Sequence, residues 1–331
     1  MKPVFIHIGL HKTGSTFLQD KVFPLFSDTS FLTRPFTCNN HAFNKLKEAD
    51  DLIYKKGDIL DIIKHIQNND KKSKILLSDE AFSGEAINFQ YINRTLIAHR
   101  LKEIFPNATI IIFLRGQKNI IKSFYNQWVK GYNHGYKPIE NFISVPADDY
   151  NYKNYIEDKK TGQFRNASTW YFNPYSNLSL ECFYYYDLIC FYKSLFPSVN
   201  VFLYEQLRDE PRKVITRLEN ILNEENPELE LLEAGSKSNA SLDDRSLEEQ
   251  MLKNRVNVLA KNNTLNRSLR FLHKAKDKLK TKPKENKSST EQYINKITNK
   301  YYSRDNLKIA KEYPEIGLQN YPHEYDLEQI I

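Results

Sequence analysis

Apolar residues gather into four short runs: Val4 to Ile8, Lys74 to Leu77, Thr109 to Leu114 and Val199 to Leu203. The third run, Thr-Ile-Ile-Ile-Phe-Leu, does not alternate with polar residues, which is the pattern of a strand covered on both faces. Between the runs the spacing becomes helical. Phe17, Leu18 and Val22 fit a short helix ending near Pro24, and Ile59, Ile62, Ile63 and Ile66 fit a second. Ile120, Ile121, Phe124 and Trp128 fit a third, and Leu188, Phe191, Tyr192 and Leu195 a fourth that ends at Pro197. Strands alternating with helices predict an α/β fold with a parallel sheet and right-handed crossovers.

Two regions break this rhythm. Residues 131–180 are rich in Tyr, Asn, Gly and Pro with weak periodicity, and read as an insertion or lid. From about Ser236 to residue 331 the chain reads as a polar, helical extension, with an exposed loop at 280–290. With 331 residues the chain can bury a sizeable core, and it is read as one α/β domain over 1–331. A 13% aromatic content argues against disorder, and ten glycines against a low-complexity chain. Cys38, Cys182 and Cys190 are too few for a disulfide framework and suit a reducing compartment. No signal peptide or membrane-spanning run is visible, so the expected location is cytoplasmic.

The stretch Val4-Phe-Ile-His-Ile-Gly9-Leu-His-Lys12-Thr-Gly14-Ser-Thr16-Phe17 reads as strand, tight loop, helix. Its glycines let the backbone bend close to a ligand, and Ser15 or Thr16 can cap the helix, whose free N–H groups favour a phosphate. Gly9 and Gly14 have the spacing of the P-loop G-x-x-x-x-G-K-[ST], but Ser15 stands in place of the lysine, which has moved forward to Lys12. A magnesium-dependent nucleotide hydrolase would also place an Asp at a neighbouring strand end, where this chain has Arg115. The loop therefore suits a phosphate-bearing ligand, but without the parts for magnesium–triphosphate chemistry. An ordinary βα turn with a solvated lysine is the plain alternative.

Lys12-Thr13-Gly14-Ser15-Thr16-Phe17 resembles the K-[ST]-G-[ST]-[ST]-aromatic loop of sulfotransferases that use 3′-phosphoadenosine 5′-phosphosulfate (PAPS). Arg115 at a strand end, with Ser123 eight positions on, resembles that family's second signature, an Arg–Ser pair on the 3′-phosphate. Val201 to Pro211 resembles its strand ending in Tyr204-Glu205 before a proline-started helix. The likeness covers roughly 4–130 and 180–222, and within the family it is nearest to bacterial enzymes acting on carbohydrate or other small hydroxyls. It implies a three-layer sandwich and sulfuryl transfer from PAPS with no metal required. Lys12 would stabilise the leaving phosphate, Thr13 to Thr16 would hold the 5′-phosphate, and Arg115 and Ser123 the 3′-phosphate. Phe17 and Tyr204 would lie near adenine, though packing roles are as ordinary for both.

An acceptor hydroxyl needs a base. The likeness implies one just after the Lys74–Ser78 strand, so Glu80 is the first candidate and Asp79, or a His, the alternative. A plainer reading makes Ser78 an N-cap with Asp79 and Glu80 in the first helical turn. An ATP-dependent kinase and a non-catalytic anion-binding module stand as competing functions. The expected acceptor is a glycan or glycolipid, with no nucleic-acid partner. The net charge of +7 is concentrated between Arg267 and Lys287, where nine basic residues face only Asp277 and Glu285. With Leu265, Leu269 and Leu272 at helical spacing, the segment 265–287 suits peripheral contact with an anionic membrane, a solvated helix and loop being the more common outcome.

Overall fold

The computed structural model describes residues 2–36, 42–84, 91, 93–131, 138–144, 178–225, 246–247, 249–254 and 289–327. The chain divides into two compact units, Met1–Gly116 with Cys182–Ser236 and Tyr302–Ile331, and Gln117–Glu181 with Lys237–Tyr301.

The strands are β1 (Val4–His7), β2 (Thr29–Thr33), β3 (Lys74–Ser78), β4 (Thr109–Leu114), β5 (Ile143–Ser144), β6 (Leu178–Ser179) and β7 (Ser198–Leu203). The helices are α1 (Ser15–Phe17), α2 (Ala42–Glu48), α3 (Lys56–Asn69), α4 (Arg94–Ile104), α5 (Gln117–Gly131), α6 (Tyr185–Leu195), α7 (Tyr204–Asp209), α8 (Pro211–Leu222) and α9 (Ser289–Glu312).

The first unit is built on a five-stranded sheet in the order β2-β3-β1-β4-β7, with every pairing parallel. The four apolar runs form β3, β1, β4 and β7. The fifth strand, β2, has no counterpart in the apolar pattern. Its sequence Thr-Ser-Phe-Leu-Thr is short and half polar, and it lies at the sheet edge with three residues partly exposed. An edge strand needs no second buried face, so its sequence carries little signal.

Every residue of β1 is buried, and so are the last five of β4, so helices cover both faces of the sheet and the architecture is a three-layer α/β sandwich. On one face Phe5, Leu76, Ile111, Phe113 and Phe202 pack with Leu18, Val22, Phe23, Leu207, Val214, Ile215 and Leu218. Phe113 and Phe202 are register partners, and their rings stack with centroids 4.9 Å apart. Burying each side chain of this kind contributes about 1.5–3 kcal/mol.

The helix expected after the glycine loop starts as α1, continues as a π-helical stretch over Leu18–Val22 and closes in a 3-10 turn, Phe23–Leu25, that contains Pro24. Its N-cap is Gly14 in a left-handed conformation, with no side-chain capping bond, rather than Ser15 or Thr16.

In the second unit Trp128 of α5 packs against Phe142, with ring centroids 5.2 Å apart, and β5 pairs with β6 in a two-residue parallel ladder. Of the expected lid at 131–180 only 131, 138–144 and 178–180 are described, and the basic stretch 265–287 lies outside the described residues. Among the described residues no helix is long and apolar enough to cross a membrane.

Candidate functional site

An all-parallel sheet brings the carboxyl ends of its strands to one edge. The chain leaves β1 toward β2 on one side and leaves β4 toward β7 on the other, which opens a crevice between β1 and β4. Lys12, Asp79 and Glu80, Arg115, and Tyr204 follow β1, β3, β4 and β7 respectively, all at this edge.

The loop after β1 is held by its own atoms. Thr13 Oγ1 donates to the Leu10 carbonyl at 2.5 Å, and Leu18 N donates to Gly14 O at 3.2 Å. Lys12 has a φ of 69°, a left-handed conformation that costs a non-glycine residue about 1–2 kcal/mol. Gly14, with φ 90°, is where glycine is required: a Cβ there would meet the Tyr204 ring at 3.2 Å and Leu207 at 3.1 Å. Gly9 is crowded too, since a Cβ would fall 2.6 Å from Ser15 Oγ and 2.9 Å from His7 Nε2. Ser15 is buried and its Oγ makes no well-formed hydrogen bond, although it lies near enough to Glu80 to favour the carboxylate weakly. Thr16 is exposed, and Phe17 is half-buried against the core described above.

Arg115 meets this loop directly. Its Nη1 donates to the Lys12 carbonyl at 2.8 Å, which is one of the contacts that holds Lys12 in its left-handed turn. The pairing of Leu114 with Leu203 makes Arg115 and Tyr204 neighbours, and the guanidinium lies 4.4 Å from the Tyr204 ring centroid. Arg115 Nε is buried and has no hydrogen-bond partner among the described residues. Lys12, Gly14, Arg115 and Tyr204 thus form one contiguous surface. Ser123 is half-buried on α5, within the second unit.

The acidic pair after β3 divides its work. Asp79, not Ser78, caps the 3-10 turn Glu80–Ser83. Its Oδ1 accepts from Ala81 N at 2.9 Å, and its Oδ2 pairs with Lys47 Nζ at 2.7 Å. Ser78 remains in the strand, where its Oγ accepts from Gln19 Nε2 at 3.0 Å and meets His7 Nδ1 at 2.7 Å. Both Asp79 oxygens are therefore committed to structure. Glu80 is bound less fully: Arg34 Nη2 reaches its Oε2 at 2.7 Å. Burial pushes the Glu80 carboxyl up from the usual range, with the Asp79 charge adding to the rise and Arg34 and Lys12 opposing it. A partly desolvated carboxylate held beside cations can act as a base once ionised.

His11 lies in the same cluster. Burial, with help from Arg34, Lys12 and Lys47, lowers its pKa to about 4, and its Nδ1 is 3.2 Å from Tyr91 OH. His7 is fully buried and its pKa falls to about 3, so it is neutral near pH 7. Arg34, Lys47, Tyr91 and Gln19 are absent from the sequence reading. Arg34 follows the edge strand that the apolar pattern does not reveal, and nothing local in the sequence marks the other three.

An anion fits this arrangement better than a cation. Arg115 Nε and Ser15 Oγ are buried polar atoms lacking good protein partners, Lys12 adds positive charge, and the two glycines keep side chains out of the loop. Such groups could hold the phosphates of a nucleotide. Among the described residues no group of three or more His, Cys, Asp or Glu is arranged to bind a metal.

No family model matches the chain, and no curated protein does. Among solved structures the chain is similar to a sulfotransferase from Alicyclobacillus acidocaldarius, with TM-score 0.41 and 12% identity, over 81% of this chain and 99% of that one. It is also similar to the sulfotransferase domain from the curacin biosynthetic pathway, with TM-score 0.39 and 17% identity, over 88% and 96%.

Proposed function

We propose that this chain is a sulfotransferase that moves a sulfuryl group from PAPS to an acceptor hydroxyl, most simply on a carbohydrate, without a metal. The observation that carries the reading is the direct bond from Arg115 to the Lys12 backbone at the β1–β4 crevice. It joins two separately recognised anion-binding motifs into one surface, with a donor on Arg115 Nε that has no partner among the described residues.

The donor supplies a sulfuryl group attached to a phosphate leaving group. Lys12 stabilises the charge that grows on the bridging oxygen as the S–O bond breaks, an interaction stronger in the transition state than before it. The Arg115 fork takes two oxygens of the 3′-phosphate, with Ser123 assigned to the same phosphate from the motif spacing. The Tyr204 ring, already beneath the guanidinium, borders the adenine side. Glu80, as carboxylate, removes the acceptor proton while the acceptor oxygen forms its bond to sulfur. The products are a sulfate ester and adenosine 3′,5′-bisphosphate. Glu80 is preferred to Asp79 because the Asp79 oxygens are taken by Ala81 N and Lys47.

Two measurements test this. Adenosine 3′,5′-bisphosphate in the presence of EDTA should stabilise the folded protein, by about 2.7 kcal/mol at a hundred times Kd. Stabilisation by Mg-ATP alone would overturn the reading in favour of a kinase. Radiolabel from PAPS should pass to a member of a panel of glycans, glycolipids and small alcohols. Glu80→Gln should bind the bisphosphate normally while losing transfer, and full transfer in that variant would remove Glu80 as the base.

A further inference from the structure

The Arg115–Gly116 peptide is the first beyond the β4 ladder, so its two polar atoms need partners from elsewhere. Both find them in buried side chains. Tyr185 OH donates to the Arg115 carbonyl at 2.8 Å, and the Gly116 N–H donates to Glu205 Oε1 at 3.0 Å. One peptide plane is thus gripped on both edges, which sets the backbone direction from which the Arg115 side chain departs.

Glu205 is fully buried, and an ionised carboxylate there is costly unless its oxygens are paired. Its Oε2 accepts from Tyr325 OH at 2.9 Å. Tyr325 is itself fully buried, and its carbonyl accepts from Asn306 Nδ2 of α9 at 2.8 Å. The neighbouring Glu324 backbone lies over Gly116 so closely that a Cβ on Gly116 would be 2.7 Å from the Glu324 carbonyl oxygen. The C-terminal segment 321–327 therefore backs the turn that presents Arg115, although it is more than two hundred residues away in the chain.

We infer that Tyr325, acting through Glu205, is a positioning residue for Arg115, and that the C-terminal segment thereby sets the affinity for a ligand's 3′-phosphate. The inference rests on the reading of Arg115 as the 3′-phosphate ligand. Removing the Tyr325 hydroxyl takes one of three donors from a buried carboxylate, leaving it the N–H groups of Gly116 and of Glu205 itself. Glu205 can then shift toward other donors and release the Gly116 N–H, so that the Arg115 fork loses its fixed approach. The 5′-phosphate loop loses at most its one bond from Arg115 and keeps the Thr13–Leu10 and Leu18–Gly14 bonds, so it is disturbed less.

The test is a calorimetric comparison of adenosine 3′,5′-bisphosphate with adenosine 5′-monophosphate, which lacks the 3′-phosphate. Tyr325→Phe should weaken the bisphosphate about 5- to 10-fold, the effect of losing roughly one ordinary hydrogen bond, and leave the monophosphate within about twofold. A general loosening of the fold would weaken both ligands alike, and that result, or no change in either, overturns the inference. Tyr185→Phe grips the same peptide less well from its other edge and should show the same selectivity, which covers the case of a poorly folded Tyr325 variant. A wild-type protein with no preference for the bisphosphate would instead overturn the assignment of Arg115. A wild-type preference that survives both substitutions overturns only the positioning.

Discussion

At the scale of single residues, the site works by setting charge against burial. Lys12 stands in a backbone conformation that lysine rarely adopts, held there in part by Arg115. Its replacement by alanine removes the charge assigned to the leaving phosphate. Turnover should fall by about 10²-fold or more in a PAPS transfer assay, as for other electrostatic stabilisers, with a smaller change in bisphosphate affinity. Glu80 illustrates the opposing forces: burial raises its pKa, while Arg34 and Lys12 hold it down. Arg34→Gln removes the larger of the two cationic contributions, so the Glu80 proton is held to higher pH. The acid limb of the kcat/KM profile should move upward in pH, and Arg34→Lys should stay near wild type. Because the Arg34 side chain is 47% exposed, high salt should move the wild-type limb in the same direction. These residue types, and the fact that they follow strands, are visible in the sequence. The pairing of Arg34 with Glu80 is not, because it joins two strand ends 46 residues apart.

At the scale of elements, the apolar runs and helical spacings predict four of the five main strands and the helices α1, α3, α5 and α6, but not α2 or α4. Two departures have physical causes. The strand β2 escapes notice because an edge strand with half-exposed positions needs few apolar residues. Ser78 reads as a helix cap because serine before two acids is a common start signal. In the fold its hydroxyl is occupied by His7 and Gln19, and the cap passes to Asp79. Asp79 thus anchors the turn that carries Glu80. Asp79→Ala should destabilise the protein by about 1–3 kcal/mol in urea unfolding, through loss of the cap and an unpaired, mostly buried Lys47 ammonium. The lid expected at 131–180 and the basic segment 265–287 remain elements defined by composition.

At the scale of the whole molecule, buried ionisable groups link folding to pH. His7 has a pKa near 3 when folded and about 6.5 when unfolded, so between these values the unfolded chain binds the extra proton. Its contribution is unchanged above pH 6.5 and is lost as pH falls from there toward 3, at up to about 1.4 kcal/mol per pH unit. Asp305, raised to about 6 by burial, acts in the opposite sense, since its folded form takes up a proton first as pH falls. Comparing wild type with His7→Gln isolates the first term: the variant's urea midpoint should fall less between pH 7 and pH 5. The sequence by itself determined the repeating strand–helix elements, the glycine-lysine loop and the arginine and tyrosine that end their strands, because each depends on neighbours a few positions away. Only the tertiary structure decided the strand order that makes a crevice beside β1, the bond between Arg115 and Lys12 across 103 residues, and the grip of Tyr325 on Glu205 across 120. Those contacts leave no local pattern, because what selects them is the cost of burying a charge or a peptide group without a partner, and that cost exists only once the chain has packed.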